Sequence, residues 1–315
     1  MYLRSQYFAI IWLLLQKDLA FIAKAILANF MPAQIDLHCH STVSDGLFSP
    51  PDLVAHAAKR GVKVLALTDH DDLGGLQAAR EAALQHDIQF INGVEISVTW
   101  KKRTLHIVGL KVDEKHAALK AALNLVRTGR DERAQEMGAD LALRAGIQGA
   151  YEGAKALAAQ SIITRTHFAR FLVENGHAKD TKSVFKKFLV KGKPGFKEHE
   201  WMSLESAVEL INAAGGMAVI AHPGRYDLGR TNMLELLHEF RTLGGAAIEV
   251  VTGSHTPPQY QQFAKLAHQF SLKCSLGSDY HGAGISFMEM GNVPNLPAGC
   301  VPVWDDWPEA AHLLN

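Results

Sequence analysis

Histidine is the residue type most able to do chemistry in this chain, because 16 of the 315 residues are histidines. Several of them stand, together with Asp or Glu, in or just after short apolar runs that resemble β-strands. Imidazole and carboxylate groups are common ligands of catalytic metal ions. Side chains alternate along a strand, so His38 and His40 are expected on one face and Asp279 is expected beside His281. The candidate metal ligands are His38, His40, Asp45, His70, Glu95, His106, His222, Asp279 and His281.

The composition of this ligand set restricts the metal. It contains imidazole and carboxylate but no thiolate, which favours Mn²⁺, with Fe²⁺ or Zn²⁺ as alternatives, over Ca²⁺ or an iron–sulfur cluster. Nine candidate ligands are too many for one ion. Sites with two or three ions are the usual machinery of phosphoester hydrolysis, in which the metals turn a bridging water into hydroxide. We therefore expect a metal-dependent hydrolase without a protein nucleophile.

The elements that must position these residues are short apolar, β-branched runs, most of them followed by a helical pattern. Strands that alternate with helices indicate βαβ units and a parallel sheet. Seven strands buried on both faces fit a closed barrel better than an open sheet, and in such a barrel the catalytic groups stand at the carboxyl ends of the strands. Six of the seven runs carry a candidate ligand. The predicted strands are 35–40, 62–70, 89–97, 104–112, 217–223, 246–252 and 272–281.

Residues 113–200 do not follow this alternation of strands and helices, because they have helical periodicity and no convincing strand. Structureless connections of this length are rare, so the segment is expected to form a small helical domain. Charged helix faces are often simply solvated, but here the cations cluster at the two ends of one predicted helical hairpin. A helix amino terminus is also a ready anion site, although the T-R-T-H-F stretch could be a simple helix start. The candidate substrate-binding residues are Arg130, Arg133, Thr164, Arg165, His167 and, close behind a candidate ligand, Arg225.

Composition excludes several classes of protein. Hydrophobic residues are 48% and charged residues 20% of the chain, which excludes global disorder. Lys and Arg equal Asp and Glu, 32 to 32, which argues against a surface that binds nucleic acid or anionic lipid everywhere. Three cysteines do not make a disulfide framework, and a reducing cytoplasm is expected. The remaining histidines are expected at the surface: His56, His86, His116, His177, His199, His238, His255, His268 and His312.

The predicted domain organisation has four parts. Residues 1–32 are an extension whose apolar run at 7–15 is short and is followed by charges, so no membrane span is expected. A signal peptide is the alternative to a short helix or to a start at Met31. Residues 33–129 and 195–300 are expected to form the barrel, residues 130–194 the helical insertion domain and residues 301–315 a tail.

Five motifs in order resemble those of the polymerase and histidinol phosphatase (PHP) superfamily over about residues 33–290. They are D-L-H-C-H with S-x-x-S-D-G, L-T-D-H-D, G-V-E-I-S, A-H-P-G-R-Y and G-S-D-Y-H. The resemblance implies a distorted (β/α)₇ TIM-like barrel with three metals. His38, His40, Glu95 and Asp279 would hold the first metal. Glu95 would bridge to a second, held with His106 and His222, and Asp45, His70 and His281 would hold the third. Relatives often have His at the position of Asp45.

The insertion resembles that of the bacterial 3′,5′-nucleotide bisphosphate phosphatases and of a related 5′-to-3′ exoribonuclease. The stretches are R-D-E-R, I-T-R-T-H-F-A-R-F-L-V-E-N-G and F-K-K-F-L-V-K-G-K-P-G. The resemblance implies removal of the 3′-phosphate from adenosine 3′,5′-bisphosphate to give AMP, or cleavage of 5′-phosphorylated RNA. A histidinol phosphatase and a non-catalytic PHP module are weaker alternatives. The expected partner is thus a small nucleotide or a 5′-phosphorylated RNA, without a membrane or an obligate protein partner.

Overall fold

The computed structural model describes residues 32–159 and 161–313, and one mixed sheet dominates them. Seven strands follow one another in the order β1-β2-β3-β4-β6-β7-β8, and the short β5 pairs with β3. The α/β barrel prediction is confirmed. The strands are β1 Ile35–Asp36, β2 Val64–Leu67, β3 Gln89–Trp100, β4 Arg103–Leu110, β5 Met202–Ser203, β6 Met217–Ile220, β7 Ala247–Thr252 and β8 Lys273–Gly277.

The sheet closes almost completely between its first and last strands. The Leu37 N–H donates to the Leu276 carbonyl, and the Asp279 N–H donates to the His38 carbonyl. The close approach needs a glycine, because a Cβ at Gly277 would lie 2.4 Å from the Cβ of His38. Because the barrel closes, β1 and β8 lie side by side, and the candidate ligands that follow these two strands lie close together.

The prediction of a sheet with parallel strands throughout is wrong for β4. This strand pairs antiparallel with β3, from Gly93 opposite Leu110 to Trp100 opposite Arg103, and also antiparallel with β6. Only Lys101 and Lys102 separate β3 from β4, both with positive φ, which is the geometry of a tight hairpin. A parallel connection needs a dozen or more residues. As a result Glu95 lies in the middle of a long strand and not at its end.

Helices cover the outside of the barrel because each has one apolar face. The first of them begins after Ser49, whose hydroxyl accepts a hydrogen bond from the Asp52 N–H, and a cap of this kind satisfies an amide that the helix cannot. β2 and β7 are buried along their whole length, as expected of strands covered on both faces. The barrel helices are α1 Pro50–Lys59, α2 Leu76–Gln85, α7 Leu204–Ala213, α8 Arg230–Thr242 and α9 Pro257–Gln269, with 3₁₀ turns at Pro223–Arg225 and Pro308–Leu313.

The insertion is helical, as expected, and has its own apolar cluster around Leu141, Phe168 and Leu189. Its first helix also belongs to the barrel, because Leu119 and Leu123 pack in the barrel core. One continuous helix therefore crosses the predicted boundary at residue 130, and the domain limits remain a prediction. The helices are α3 Ala117–Ala145, α4 Ala150–Ala158, α5 Arg165–Glu174 and α6 Thr181–Val184, which continues as a π-helix over Phe185–Leu189.

The predictions for the two termini have different outcomes. The predicted extension, with its signal-peptide alternative, lies outside the described residues except for residue 32. The predicted tail is part of the barrel over its described residues, because Val303, Trp304, Trp307 and Ala310 are buried in the main core. The Val303 N–H donates to the Cys274 carbonyl, which fixes this segment along β8. No helix in the described ranges is both long and apolar enough to span a membrane.

Candidate metal centre

All nine predicted ligands meet at one end of the barrel, where they form four overlapping groups. Within each group the ligand atoms all lie within 4.8 Å of one another. His38 and His40 belong to two of these groups, and so do His70 and Glu95, so the groups form one continuous cluster. Their role as ligands remains a prediction. The groups are His40 with Asp45, His70 and His281; His38 with Glu95 and His222; His38 with His40 and Asp279; and His70 with Glu95 and His106.

Glu95 is the centre of this cluster. It is fully buried, and five imidazoles surround its carboxylate. The distances from Oε1 are 2.9 Å to His106 Nδ1 and 2.9 Å to His222 Nε2; those from Oε2 are 2.8 Å to His70 Nδ1, 3.3 Å to His40 Nε2 and 3.4 Å to His38 Nε2. A carboxylate with this many neighbours on both oxygens is well placed to bridge metal ions.

Two further carboxylates complete the cluster on the other side of His40. The Asp279 Oδ1 lies 3.4 Å from His40 Nε2 and 3.6 Å from His38 Nε2. The Asp45 Oδ1 lies 3.2 Å from His281 Nε2 and 3.9 Å from His70 Nε2. The chain therefore supplies three carboxylates and six imidazoles to one site.

The cluster fits bound cations because several of its buried ligand atoms lie close to one another without the geometry of a hydrogen bond. Among the described residues, Asp45 Oδ1, His70 Nδ1 and Glu95 Oε2 are buried without a hydrogen bond. Each unsatisfied buried polar group costs about 1–3 kcal/mol. Metal ions coordinated by these atoms would remove that cost, whereas a purely structural network would be expected to pair them.

The protonation states agree with this fit. Burial acts to raise the pKa of Glu95, but His106, His70 and His38 hold it well below its usual range, so the carboxylate is ionised. Burial and the neighbouring His281 and His70 lower the pKa of His40 to about 3, which keeps its lone pair free. Against the effect of burial, Asp45 and Asp279 raise the pKa of His281 to about 9. That imidazole must release a proton when it binds a metal ion.

Two buried aspartates that the sequence analysis did not single out hold the ligand loops. The Asp69 carboxylate accepts hydrogen bonds from Ser41 and Ser44 in the loop that carries Asp45. The Asp36 Oδ1 accepts from the Ser278 N–H at 2.8 Å. Burial raises the pKa of each aspartate to about 6. Asp36 lies inside the D-L-H-C-H motif and Asp69 inside the L-T-D-H-D motif, and nothing else in the sequence indicated a role for either residue.

β7 also contributes to the centre, although no ligand was predicted on it. Its Glu249 is buried, and its Oε1 lies 2.6 Å from His38 Nδ1. A single Glu inside an apolar run gave no sequence signal. The prediction that His255 lies at the surface is wrong, because it is buried and its Nε2 accepts a hydrogen bond from the Gly224 N–H. Four more of these histidines are half-buried rather than exposed: His56, His116, His177 and His199.

A cavity of about 1040 Å³ opens over the cluster and joins it to the insertion. Its walls include ligands of the cluster, such as His70 and His281, and aromatic residues such as Trp201 and Tyr226. Five of the six predicted substrate-binding residues line it as well: Arg130, Arg133, Thr164, Arg165 and Arg225. The cationic wall and the metal cluster thus face one space.

Arg133 and Arg165 are two cations of this wall that lack an acidic partner. No ion pair to either is found among the described residues, and the Arg133 Nε–H donates to the Lys197 carbonyl. Burial and the nearby Arg165 and Arg130 lower the pKa of Arg133 to about 9. Burial and the nearby Arg225 and Arg130 lower that of Arg165 to about 10. A bound anion would relieve this repulsion.

Arg130 has a structural contact that the sequence did not indicate. Its Nε and Nη2 lie 2.7 and 2.5 Å from Asp71 Oδ2, and Nη2 also donates to the Ser97 hydroxyl at 2.6 Å. The Asp71 Oδ1 accepts from the Ser97 N–H. The buried ion pair ties α3 to the segment that follows β2, and the hydrogen bond to Ser97 ties α3 to β3, so Arg130 holds the insertion in place whatever else it binds.

Replacement of Arg130 should therefore reduce stability. We expect Arg130→Ala to lower the free energy of unfolding by about 3–5 kcal/mol, because Asp71 would be left buried and uncompensated. Urea denaturation measures this change. The control is Arg144→Ala on the same helix, which should cost about 1 kcal/mol or less, because the Arg144 side chain is half-exposed and its partner Asp140 keeps an ion pair with Lys197. Equal stability of the two variants would contradict the assignment.

Thr164 and His167 form the start of α5, as in the simple helix-start interpretation. The His167 Nδ1 accepts from the Thr164 N–H, and the Thr164 hydroxyl accepts from the Thr166 N–H and donates to Asp45 Oδ2 at 2.8 Å. Through the hydrogen bond from Thr164, the start of α5 holds the carboxylate of Asp45, which is a candidate metal ligand. Arg225, whose side chain is 43% exposed, pairs with Asp279 Oδ2 at 2.8 Å. A substrate role for these three residues remains a prediction.

Comparisons with known proteins identify the family. The PHP domain model matches residues 36–250. A 3′,5′-nucleoside bisphosphate phosphatase of Chromobacterium violaceum is 49% identical over 273 residues, which are 86% of this chain and 95% of that protein. A 5′-3′ exoribonuclease of Haemophilus influenzae is 42% identical over 275 residues, which are 87% of this chain and 99% of that protein.

Solved structures agree. A Chromobacterium violaceum protein described as an amidohydrolase with bound sulfate and no metal is 49% identical with a TM-score of 0.84, and the match covers 87% of this chain and 95% of that one. A putative metal-dependent phosphoesterase from Bifidobacterium adolescentis is 25% identical with a TM-score of 0.73, over 87% of this chain and 94% of that one. The chain, with its cluster of imidazoles and carboxylates at the end of such a barrel, therefore belongs to the PHP domain family and is a metal-dependent phosphoesterase.

Proposed function

We propose that this phosphoesterase removes the 3′-phosphate from nucleoside 3′,5′-bisphosphates and converts adenosine 3′,5′-bisphosphate to AMP and phosphate. The observation that carries the proposal is the shared cavity, which has the metal cluster on one side and the unpaired Arg133 and Arg165 on the other. A substrate with two phosphates fits an arrangement of one reacting site and one cationic anchor. The similarity to the Chromobacterium violaceum bisphosphate phosphatase supports the same substrate class.

Different residues of the chain bind the 5′-phosphate and orient the 3′-phosphoryl group. Arg133 and Arg165 bind the 5′-phosphate through charge-assisted hydrogen bonds, which are stronger than neutral ones. Arg225 lies at the boundary between the metal cluster and the cationic wall of the cavity. One of its guanidinium nitrogens pairs with Asp279, the side chain is half-exposed, and its role is to orient the 3′-phosphoryl group. When bound, two or three metal ions, with Mn²⁺ favoured by the ligand types, activate water and neutralise phosphoryl charge.

The anchor can be tested separately from the metal cluster. We expect Arg133→Ala and Arg165→Ala each to weaken binding of adenosine 3′,5′-bisphosphate by about 1.5–3 kcal/mol, the value of a hydrogen bond to a charged group. The measurements are KM and the Mn²⁺ content, and the content should not change. Arg144→Ala, on the same helix as Arg133, serves as the control, since Arg144 does not line the cavity. Unchanged KM in both variants would show that the insertion does not anchor the substrate.

The second candidate function is 5′-to-3′ exoribonuclease activity. The cavity of about 1040 Å³ is at the upper end of small-ligand sites and continues past the arginines to Lys102, Arg103 and Lys191. That space would admit nucleotides beyond the first, and the Haemophilus influenzae relative is named for this activity. In both reactions a 5′-phosphate is anchored and the neighbouring 3′-phosphoryl group reacts.

A release assay discriminates among these functions. The substrates are adenosine 3′,5′-bisphosphate, AMP, histidinol phosphate and a 5′-phosphorylated oligoribonucleotide, each with Mn²⁺. We expect the bisphosphate to have the highest kcat/KM and AMP to survive as product. A higher kcat/KM for the oligoribonucleotide would replace the phosphatase with the exoribonuclease, and equal release from histidinol phosphate would contradict both.

A further inference from the structure

We infer that Glu249 is a positioning residue of the metal centre, which fixes the orientation of two metal-binding histidines without binding a metal itself. The inference rests on the metal-dependent nature of the centre but not on the identity of the substrate. β7 is the one barrel strand in the main series to which no ligand was assigned, and Glu249 is the charged residue within it.

The carboxylate of Glu249 contacts two predicted ligands at once. Its Oε1 accepts a hydrogen bond from His38 Nδ1 at 2.6 Å, and its Oε2 accepts one from the His222 backbone N–H at 2.6 Å. The side chain is 1% exposed, so water does not compete for either oxygen. Glu249 is absent from the four groups of atoms that could hold an ion, which separates it from the ligands themselves.

The contact with His38 determines which ring nitrogen is free. A neutral imidazole carries its proton on one nitrogen and a lone pair on the other. With Nδ1–H directed at Glu249, the lone pair is on Nε2, which lies 3.1 Å from His40 Nε2 and 3.6 Å from Asp279 Oδ1. A carboxylate behind a metal-binding histidine fixes both the tautomer and the ring orientation.

The contact with His222 stabilises a backbone conformation that the chain disfavours. His222 has a φ of +28°, in the left-handed region that side chains with a Cβ rarely adopt. Its N–H is held by Glu249, and two residues later the Gly224 N–H is held by His255 Nε2 at 2.9 Å. Such strain persists only where the surroundings over-determine it. Without Glu249 the imidazole of His222 would lose the backbone placement that directs it at Glu95.

The strand itself is irregular where it supplies this residue. The pairing of β7 with β8 shifts register between Glu249 and Val251. Bulges of this type re-aim side chains and are frequent beside active sites. At this irregularity Glu249 contacts His38, which follows β1, and the backbone of His222, which follows β6. These two residues are 211 and 27 positions away in sequence.

Two substitutions separate positioning from packing and from charge. Glu249→Gln is nearly the same size, so a packing role predicts wild-type behaviour. A carboxamide offers only one acceptor oxygen, and therefore cannot satisfy both N–H donors. Glu249→Asp keeps the charge but is one methylene shorter, so a purely electrostatic role predicts wild-type behaviour. Positioning predicts a loss in both variants.

The measurement is the affinity of the metal-stripped full chain for Mn²⁺ alone, by titration followed with the Mn²⁺ paramagnetic resonance signal. We expect each variant to bind Mn²⁺ about 10- to 100-fold more weakly than wild type, the usual loss for a partner of a metal ligand. At saturating Mn²⁺ the KM for the nucleotide should be unchanged. Thermal unfolding of the metal-free proteins reports whether each variant is folded.

The control is Glu239→Gln, the same chemical change at a carboxylate that accepts from the Trp100 indole outside the metal cluster. It should bind Mn²⁺ as wild type does. Wild-type Mn²⁺ affinity in Glu249→Gln or in Glu249→Asp would overturn the inference. If one variant does not fold, the other still decides it. Because the Mn²⁺ titration contains no nucleotide, its outcome is independent of the proposed substrate.

Discussion

Chelation is expected to abolish phosphoesterase activity, and Mn²⁺ is expected to restore it more completely than other divalent ions. The site mixes six imidazoles with three carboxylates and has no thiolate, a set that suits Mn²⁺. We expect no protein nucleophile, so the stripped protein should have no second route to hydrolysis. The measurement is phosphate release after chelator treatment, dialysis and addition of each metal. Full activity of the stripped protein would refute the metal-dependent assignment.

Single substitutions in the cluster should have the same effect as chelation. Glu95→Gln leaves five imidazoles without their common carboxylate. We expect kcat/KM to fall by about 10²-fold or more, because even partners of metal ligands are worth about 10- to 100-fold in metal affinity or activity. His38→Ala and Asp279→Ala should lose metal and activity together. The test is metal content and activity measured on the same preparation, and a variant with full metal content and no activity would argue against a ligand role.

Adenosine 3′-phosphate should be hydrolysed about 10²-fold more slowly than adenosine 3′,5′-bisphosphate, or more slowly still. The cluster can act on any phosphate ester that reaches it, so selectivity must come from binding energy remote from the reacting group. In the proposed function Arg133 and Arg165, which line the cavity, would supply that energy through the 5′-phosphate, which would also orient the sugar and lower the entropic cost of the reaction. The measurement is kcat/KM for both substrates at saturating Mn²⁺.

Two matched substrates and one variant pair sharpen this test. A 5′-phosphorylated dinucleotide should be cut at its internal ester, whereas the same dinucleotide with a 5′-hydroxyl should not. Arg165→Ala should reduce the discrimination between the bisphosphate and the 3′-monophosphate, while Arg144→Ala should leave it unchanged. Equal kcat/KM for the 3′-monophosphate and the bisphosphate in wild type would refute the anchor and indicate an unspecific phosphoesterase.

The sequence by itself determined the set of candidate ligands that the structure brings together, the barrel and the helical character of the insertion. His38, His40 and the other candidate ligands could be found because residue type and position relative to a strand are local properties. The barrel could be found because apolar periodicity records which faces are buried. The insertion could be found because helical periodicity ran for too long to be a loop. These features require no knowledge of which distant residues meet.

Only the tertiary structure decided the direction of β4, the packing of residues 301–313 and the partners of the charged residues. Arg130 was expected to bind substrate, yet its Asp71 partner is 59 residues away, and the carboxylate of Glu249 reaches His38 across 211 residues. The local pattern around Arg130 or Glu249 is the same whether the side chain meets solvent, substrate or a buried partner. Which of these it meets depends on how the strands and helices pack, because in a buried, low-dielectric site the free energy of a charge is set by its spatial neighbours.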